Sequence, residues 1–448
     1  MLLVFHSSGD KRLSVDTLPP LGILSIAASL EAKGIHTDVI DFSVDADALI
    51  QPEIYDLIGF SINIANRESS LREIERIRTL CPSVPIVVGG PLCMSVPEVF
   101  TGNTNIDAVF ACEAEEALYE YLTATDKSAV KGVYVRVGSE VAFAGAREWI
   151  RDLDSLPFPA LDKVPIKRYN NHPKRARPIV SMITSRGCPY GCIFCSHSMG
   201  RKWRARSAEH VVDEIKWLVN DLKVREICIY DDNFSLDRQR AEAICDALIE
   251  GKISVKLQFA NGLRVDNLDV KLLEKLKAAG TWFIGIAPEV GDPAVLRAIK
   301  KGFDLERVRE IREHCRRLGI ITHGFFMIGF PFETRDTILR TIRFAKKLDC
   351  EIVEFNKVVP YPKTELFDTL VSTGNLLADP WMKAKSYHEG TIETHRVDDL
   401  PADEIKKMIQ SAYRQYYLRP KKMVDLLRTF SIRDLFSLAL YALRTSNI

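Results

Sequence analysis

Residues 188–195 read Cys-Pro-Tyr-Gly-Cys-Ile-Phe-Cys, which sets Cys188, Cys192 and Cys195 at C-x3-C-x2-C spacing. Gly187 and Gly191 each precede one of these cysteines, and Pro189 stiffens the loop. Small residues and a proline let a short loop wrap closely around a bulky metal centre. A four-iron cluster usually takes four cysteines. Three would leave one iron with an open position, the mark of a reactive metal site as opposed to a structural one. Two other readings fit the same residues: a zinc knuckle with His197 as fourth ligand, or three unrelated thiols.

With Phe194 just before the last cysteine, the spacing resembles the cluster motif of the radical SAM enzymes. The resemblance implies a 4Fe–4S cluster whose open iron is chelated by the amino and carboxylate groups of S-adenosylmethionine (SAM). It also implies one-electron cleavage of the sulfonium, with release of a 5′-deoxyadenosyl radical.

From Ile179 onward, strand and helix patterns alternate. Strands are expected at Ile179–Thr184, Glu226–Tyr230, Lys256–Ala260, Trp282–Ala287, Thr322–Ile328 and Glu351–Val359. A helix over Ala208–Leu222 carries Val211, Ile215, Leu218 and Leu222 on one face, with Ser207 as its N-cap. Others start near Arg238, Asp269, Pro293, Leu305 and Thr334, with Asp292-Pro293 a good N-cap and N1 pair. Six βα units fall short of the eight of a closed barrel and match the partial barrel of the radical SAM core. Working groups should sit at the carboxyl ends of such strands.

The segments just beyond these strands match recurring elements of a radical SAM subfamily: Asp231-Asp232-Asn233-Phe234, Asn261 to Arg264, Pro288-Glu289, Gly329-Phe330-Pro331 and Pro360-Tyr361-Pro362. By that resemblance Asp232 takes the methionyl amine of SAM and Glu289 its ribose hydroxyls, carboxylates being acceptors for such donors. Phe194, Ile328, Gly329 and Val359 complete the implied SAM contacts. Lys300 and Lys301 before Gly302 are expected to close the fourth helix electrostatically. Cys228, Cys245, Cys315 and Cys350 fall in strand or helix patterns and read as small buried hydrophobes.

The N-terminal third alternates in the same way. Strands are expected at Leu2–Phe5, Thr37–Asp41, Leu57–Ser61, Ile86–Val88 and Ala108–Ala111. Helices are expected at Leu21–Lys33, Ser70–Leu80, near Val96 and at Ala114–Leu122. This is the pattern of a doubly wound, Rossmann-like parallel sheet, whose ligands lie beyond the carboxyl ends of the strands. No G-x-G-x-x-G fingerprint supports a nicotinamide ligand. Pro19-Pro20-Leu21-Gly22, Ser61, Gly89-Gly90-Pro91, Glu113 and Glu115 do resemble the ligand loops of the cobalamin-binding domain that precedes the radical SAM core in one large subfamily. Cys112 and Ala114 replace the two glycines of its usual G-E-G-E element. The D-x-H-x-x-G motif that ligates cobalt elsewhere is absent, so no histidine is expected to bind cobalt from below. His6 is expected in a loop or packing role.

The expected divisions are a cobalamin-binding domain over 1–150, a Pro-interrupted linker over 151–178, the partial barrel over 179–375, and a helical region over 376–448 that closes the substrate cavity. A hairpin is expected within 126–150, at Val133 to Val137 and Val141 to Phe143. In the last region Leu400–Tyr417 reads as a helix, with Asp399 or Pro401 near its start and Arg419-Pro420 as its break. Residues 421–444 read as an amphipathic stretch that either caps the barrel or touches a membrane surface.

The chain has 448 residues, 46% hydrophobic and 27% charged, an ordinary globular balance. A net charge of +1 gives no basic field for nucleic acid. Ten mostly scattered cysteines point to a reducing compartment, and with no signal-peptide pattern or apolar run of about 20 residues the expected location is the cytoplasm. The expected function is cobalamin-dependent radical methylation of an unactivated carbon in a small-molecule or natural-product substrate, with flavodoxin or ferredoxin as electron donor. The alternatives are a non-methylating radical reaction with the same cofactors, and a non-catalytic metal- or cobalamin-binding sensor.

Overall fold

The computed structural model describes residues 1–6, 17–377, 395–397, 400–431 and 434–435. Among these the chain divides between Asn170 and Asn171 into two compact units.

The first unit is built on a seven-stranded sheet in the order β2-β1-β3-β4-β5-β6-β7. Its strands are β1 Leu2–Phe5, β2 Asp38–Asp41, β3 Ile58–Ser61, β4 Ile86–Gly89, β5 Ala108–Phe110, β6 Val133–Val137 and β7 Glu140–Phe143. The first five run parallel, and their short apolar runs suit strands covered on both faces. Its helices are α1 Leu21–Glu31, α2 Arg67–Leu80, α3 Pro91–Ser95, α4 Glu98–Thr101 and α5 Ala114–Thr123. Phe5 pairs with Ser61, and Ser61 with Gly89, so the ends of β1, β3 and β4 stand level. The chain reverses direction across the sheet between β1 and β3, the switch point where such sheets hold ligands. The expected 133–143 hairpin joins this sheet antiparallel to β5. Residues 151–170, expected as linker, also pack on the first unit. Ala160 donates to the Leu24 carbonyl at 3.1 Å, and the buried Tyr169 hydroxyl donates to Asp41 at 2.7 Å.

The second unit contains an open, all-parallel sheet in the order β15-β14-β13-β12-β11-β8. These strands are β8 Ile179–Met182, β11 Glu226–Ile229, β12 Lys256–Phe259, β13 Thr281–Glu289, β14 Ile321–Ile328 and β15 Ile352–Lys357. A two-stranded ribbon, β9 Ser185–Arg186 and β10 Arg204–Ala205, brackets the cysteine loop. Between and after the strands come α6 Ala208–Asn220, α7 Arg238–Glu250, α8 Val270–Ala278, α9 Pro293–Ala298, α10 Leu305–Arg317, α11 Arg335–Leu348 and α12 Glu365–Ser372. Each of these seven helices starts on a Ser, Thr or Asp whose side chain accepts a first-turn N–H, the expected Ser207 and Asp292 among them.

Because β8 and β15 do not pair, the barrel is partial and β15 leaves an edge. That edge is covered by α13 Ala402–Tyr417. The Val353 and Phe355 N–H groups donate to the hydroxyls of Tyr417 and Tyr413, at 2.8 and 3.1 Å. Two side chains thus satisfy backbone groups that an edge strand otherwise exposes. After the Arg419-Pro420 break, α14 runs only over Pro420–Thr429. Lys422 donates to the Cys350 carbonyl, and Phe430 packs on Trp282, Ile321 and Ile352 at the amino ends of the strands. The remainder of the expected amphipathic stretch, 436–444, lies outside the described residues. Among the described residues no helix is long and apolar enough to cross a membrane.

Candidate functional site

The cysteine loop follows β9 at the carboxyl end of the second sheet. Gly187 has φ +85°, and a Cβ there would stand 2.5 Å from the Lys202 carbonyl oxygen, so the loop can turn this closely only at a glycine. The loop is pinned from several sides. Gly187 N–H donates to Asp232 Oδ2 at 3.0 Å and Cys188 N–H to the Gly200 carbonyl at 3.2 Å. Ile193 N–H donates to Ile299 at the end of α9, and its carbonyl accepts from Leu366 at the start of α12.

Cys188, Cys192, Cys195, Phe194, Asp232 and Glu289 line one cavity of about 260 Å³. Ile328, Gly329 and Val359 do not line it: Ile328 ends β14, Gly329 comes next, and Val359 lies just beyond β15. Among the described residues no three His, Cys, Asp or Glu side chains converge as a single ion requires. A cluster makes no such demand, because each cysteine takes a separate iron. His197, fourth ligand of the zinc alternative, instead places Nε2 3.0 Å from the Tyr190 carbonyl. Burial raises the Cys188 thiol above its ordinary range, so in the absence of metal the sulfur keeps its proton.

The two acidic residues of the Asp231-Asp232 pair divide their roles. Asp231 is buried and accepts from Thr184 N–H and Oγ1, both at 2.6 Å, and from Ser185 Oγ at 2.7 Å, which ties the ends of β8 and β11 together. Its pKa is raised by burial, against the pull of those donors. Asp232 uses Oδ2 on the cysteine loop and faces the cavity. Burial raises its pKa too, countered by the Gly187 N–H.

Glu289 ends β13 at φ +66°, a region that non-glycine residues rarely enter. The Lys301 ammonium, buried beside it, holds Glu289 Oε1 at 2.7 Å. Burial depresses the Lys301 pKa, but Glu289 and the nearby Cys192 sulfur together outweigh it and the net shift is upward. The sequence pattern gives both lysines a helix-closing role, and the structure separates them. Lys300 meets Glu365 at the surface, and Lys301 enters the cavity wall. No role for the Arg264 side chain is legible in the sequence either. Its guanidinium lies 3.4 Å from the centre of the Tyr190 ring, pairs with Asp266 and donates to the Lys301 carbonyl.

Below the carboxyl end, β14 alternates between buried residues that face the helices and half-buried His323, Phe325 and Met327. His323 Nε2 lies 3.1 Å from Glu354 Oε1 on β15. A lone His and a lone Glu on separate strands give no sequence signal of this pair.

In the first unit, Gly90 has φ +98°, and a Cβ there would stand 2.9 Å from both the N and O of Ile62. Ser61 and Gly89 end β3 and β4, and Pro91 opens α3. Pro20 precedes α1, whose first turn begins with the half-buried Leu21 and the exposed Gly22. Glu113 accepts from Ile150 N–H at 2.8 Å and Glu115 from Ser25 Oγ at 3.0 Å, both buried. His6 stacks on Phe42 with ring centres 4.5 Å apart.

The B12 binding domain family matches residues 14–122, and the Radical SAM superfamily matches residues 182–345. An uncharacterized methyltransferase of Pyrococcus horikoshii is 28% identical over 93% of this chain and 92% of its own. The anaerobic magnesium-protoporphyrin IX monomethyl ester cyclase of Cereibacter sphaeroides is 25% identical over 93% of this chain and 69% of its own. Among solved structures, the radical SAM methyltransferase TsrM of Kitasatospora setae superposes with a TM-score of 0.70 at 16% identity, covering 97% of this chain and 91% of that one. A cobalamin-binding domain therefore precedes a radical SAM domain in this chain. The chain belongs with the cobalamin-dependent radical SAM enzymes, whose cofactors are a 4Fe–4S cluster, SAM and cobalamin.

Proposed function

We propose that the chain methylates an unactivated carbon of a small-molecule or natural-product substrate. The observation that carries the reading is the cavity where three thiols stand beside Asp232, Glu289, Lys301 and Arg264. That set suits a soft metal cluster and a nucleoside with an amino-acid tail. Methyl transfer, as opposed to another radical outcome, draws support from the likeness to the Pyrococcus methyltransferase along nearly all of both chains. The cyclase likeness favours a second reading, the same cofactors with a non-methylating outcome.

When bound, the cofactors supply a one-electron cleavage of SAM and a transferable methyl group. The protein supplies positions and charge. Cys188, Cys192 and Cys195 would hold the cluster by three of its irons. Lys301 and Arg264 offset the negative charge of the thiolates. Asp232 would accept from the methionyl amine and Glu289 from ribose hydroxyls, each with the oxygen not already engaged by Gly187 or Lys301. Phe194 would border the cluster, whereas Ile328, Gly329 and Val359 lie outside the cavity and are assigned no contact with SAM. Pro20, Leu21, Gly22, Ser61, Gly89, Gly90 and Pro91 shape the cobalamin loops, which Glu113 and Glu115 brace from within. No histidine of the first unit ligates cobalt. The electron donor is a small redox protein such as flavodoxin or ferredoxin.

Reaction of the holoenzyme with SAM carrying a labelled methyl should give a product heavier by one labelled carbon. It should also form 5′-deoxyadenosine and S-adenosylhomocysteine in equal amounts. A substrate-dependent product with no added carbon would select the second reading.

A further inference from the structure

The Gly329-Phe330 turn is held from two sides, by His395 from beyond the barrel and by Glu333 of its own loop. His395, only 3% exposed, places Nε2 2.7 Å from the Gly329 carbonyl oxygen. Glu333 Oε2 accepts from the N–H groups of Gly329 and Phe330 at 2.7 and 3.0 Å. A Cβ on Gly329 would meet Ile405 at 3.6 Å and Val397 at 3.9 Å, so the same C-terminal segment also packs over the turn. His395 itself is bridged to Leu376, which joins the apolar cluster of Ile193, Phe330 and Leu366.

The inner side of that turn touches the cysteine loop. Phe330 is fully buried, and its ring centre lies 5.7 Å from that of Phe194 in an edge-on pair. Ile193 and Phe194 are the two residues between Cys192 and Cys195. A path of direct contacts therefore runs from His395 through the Gly329 carbonyl and the Phe330 ring to the middle of the cysteine motif. Burial keeps the imidazole neutral, with its pKa lowered to about 4, so Nε2–H can donate throughout the physiological range.

We propose that His395 is a positioning residue for the cysteine loop, setting the distance at which the open iron meets SAM. The inference rests on the reading of Cys188, Cys192 and Cys195 as cluster ligands. His395→Leu removes the donor and leaves the buried Gly329 carbonyl unpaired, so the turn shifts to find another partner. The test measures SAM affinity of the reconstituted holoenzyme through the change that SAM causes in the electron paramagnetic resonance signal of the reduced cluster. Iron and cobalt are measured in parallel. His395→Leu should weaken SAM about ten-fold, or about 1.4 kcal/mol, with iron and cobalt retained. His395→Gln, which keeps an N–H donor, should recover most of the loss. Glu333→Ala removes the acceptor of the Gly329 and Phe330 N–H groups, disturbs the same turn from its other side and serves if the Leu variant does not fold. Unchanged SAM affinity in His395→Leu, or in Glu333→Ala where the Leu variant is unfolded, overturns the proposal. Cys192→Ala is the separate control: if it still cleaves SAM, the cluster reading itself has failed.

Discussion

The two units begin the helices that flank their sheets differently. In the second unit every helix from α6 to α12 is capped by its own Ser, Thr or Asp side chain. In the first unit none of α1 to α5 has a side-chain cap, and the residues before α1, α3 and α5 are Pro20, Gly90 and Glu113. An uncapped start leaves backbone N–H groups for water or a ligand, and a capped start closes the loop on itself. The first sheet thus presents backbone and space, and the second presents side chains of fixed charge. A site of the first kind should fail when a Cβ intrudes. One of the second kind should fail when a particular atom is removed.

The largest expected effect is at the cysteine loop. Cys192→Ala removes one of three ligands, and SAM cleavage should fall below detection in a 5′-deoxyadenosine assay, with cobalt content unchanged. At the other site, Gly90→Val places side-chain atoms against Ile62 at a backbone angle that valine avoids. The strain of about 1–3 kcal/mol should lower cobalamin affinity about ten-fold or more, with iron content unchanged. If Gly90→Val instead costs iron and spares cobalt, the contrast between the two sheets is wrong.

A third effect, on folding stability and not on cofactor binding, concerns Glu333. Burial raises its pKa from 4.5 to about 7, with Asp292 adding to the shift and the Gly329 and Phe330 N–H groups opposing it. The folded state therefore binds this proton more tightly than the unfolded state. The resulting stability is fully present below pH 4.5 and is lost as pH rises through about 7. Denaturant titrations should show up to about 3 kcal/mol less from this group at pH 8 than at pH 4.5. Glu333→Gln should flatten that part of the profile, and an unchanged slope would refute the assignment.

Much of the architecture was legible because it is encoded locally. Apolar runs of four to eight residues, cap residues and glycine turns announce themselves within a short window, and all six strands of the second sheet lie where the periodicity placed them. The helix starts at Ser207 and Asp292 followed from residue type alone. Boundaries drifted where tertiary packing decided them. Helix α2 begins at Arg67, a turn earlier than expected at Ser70, and α12 was not anticipated. The 133–143 hairpin reads as an isolated pair, but the exposed edge of β5 recruits it into the sheet.

The sequence by itself determined the cysteine spacing, the strand–helix beat and the glycines at strand ends, since each depends on neighbours a few residues apart. Only the tertiary structure decided that Lys301 meets Glu289, that Arg264 lies on Tyr190, that His323 faces Glu354 and that His395 reaches Gly329. These pairs are 12 to 74 residues apart and have no common spacing. Their partners are chosen by the order and register of strands, which bring distant loops to one edge of a sheet. That edge is where burial makes a charge or a hydrogen bond strong enough to hold the site in shape.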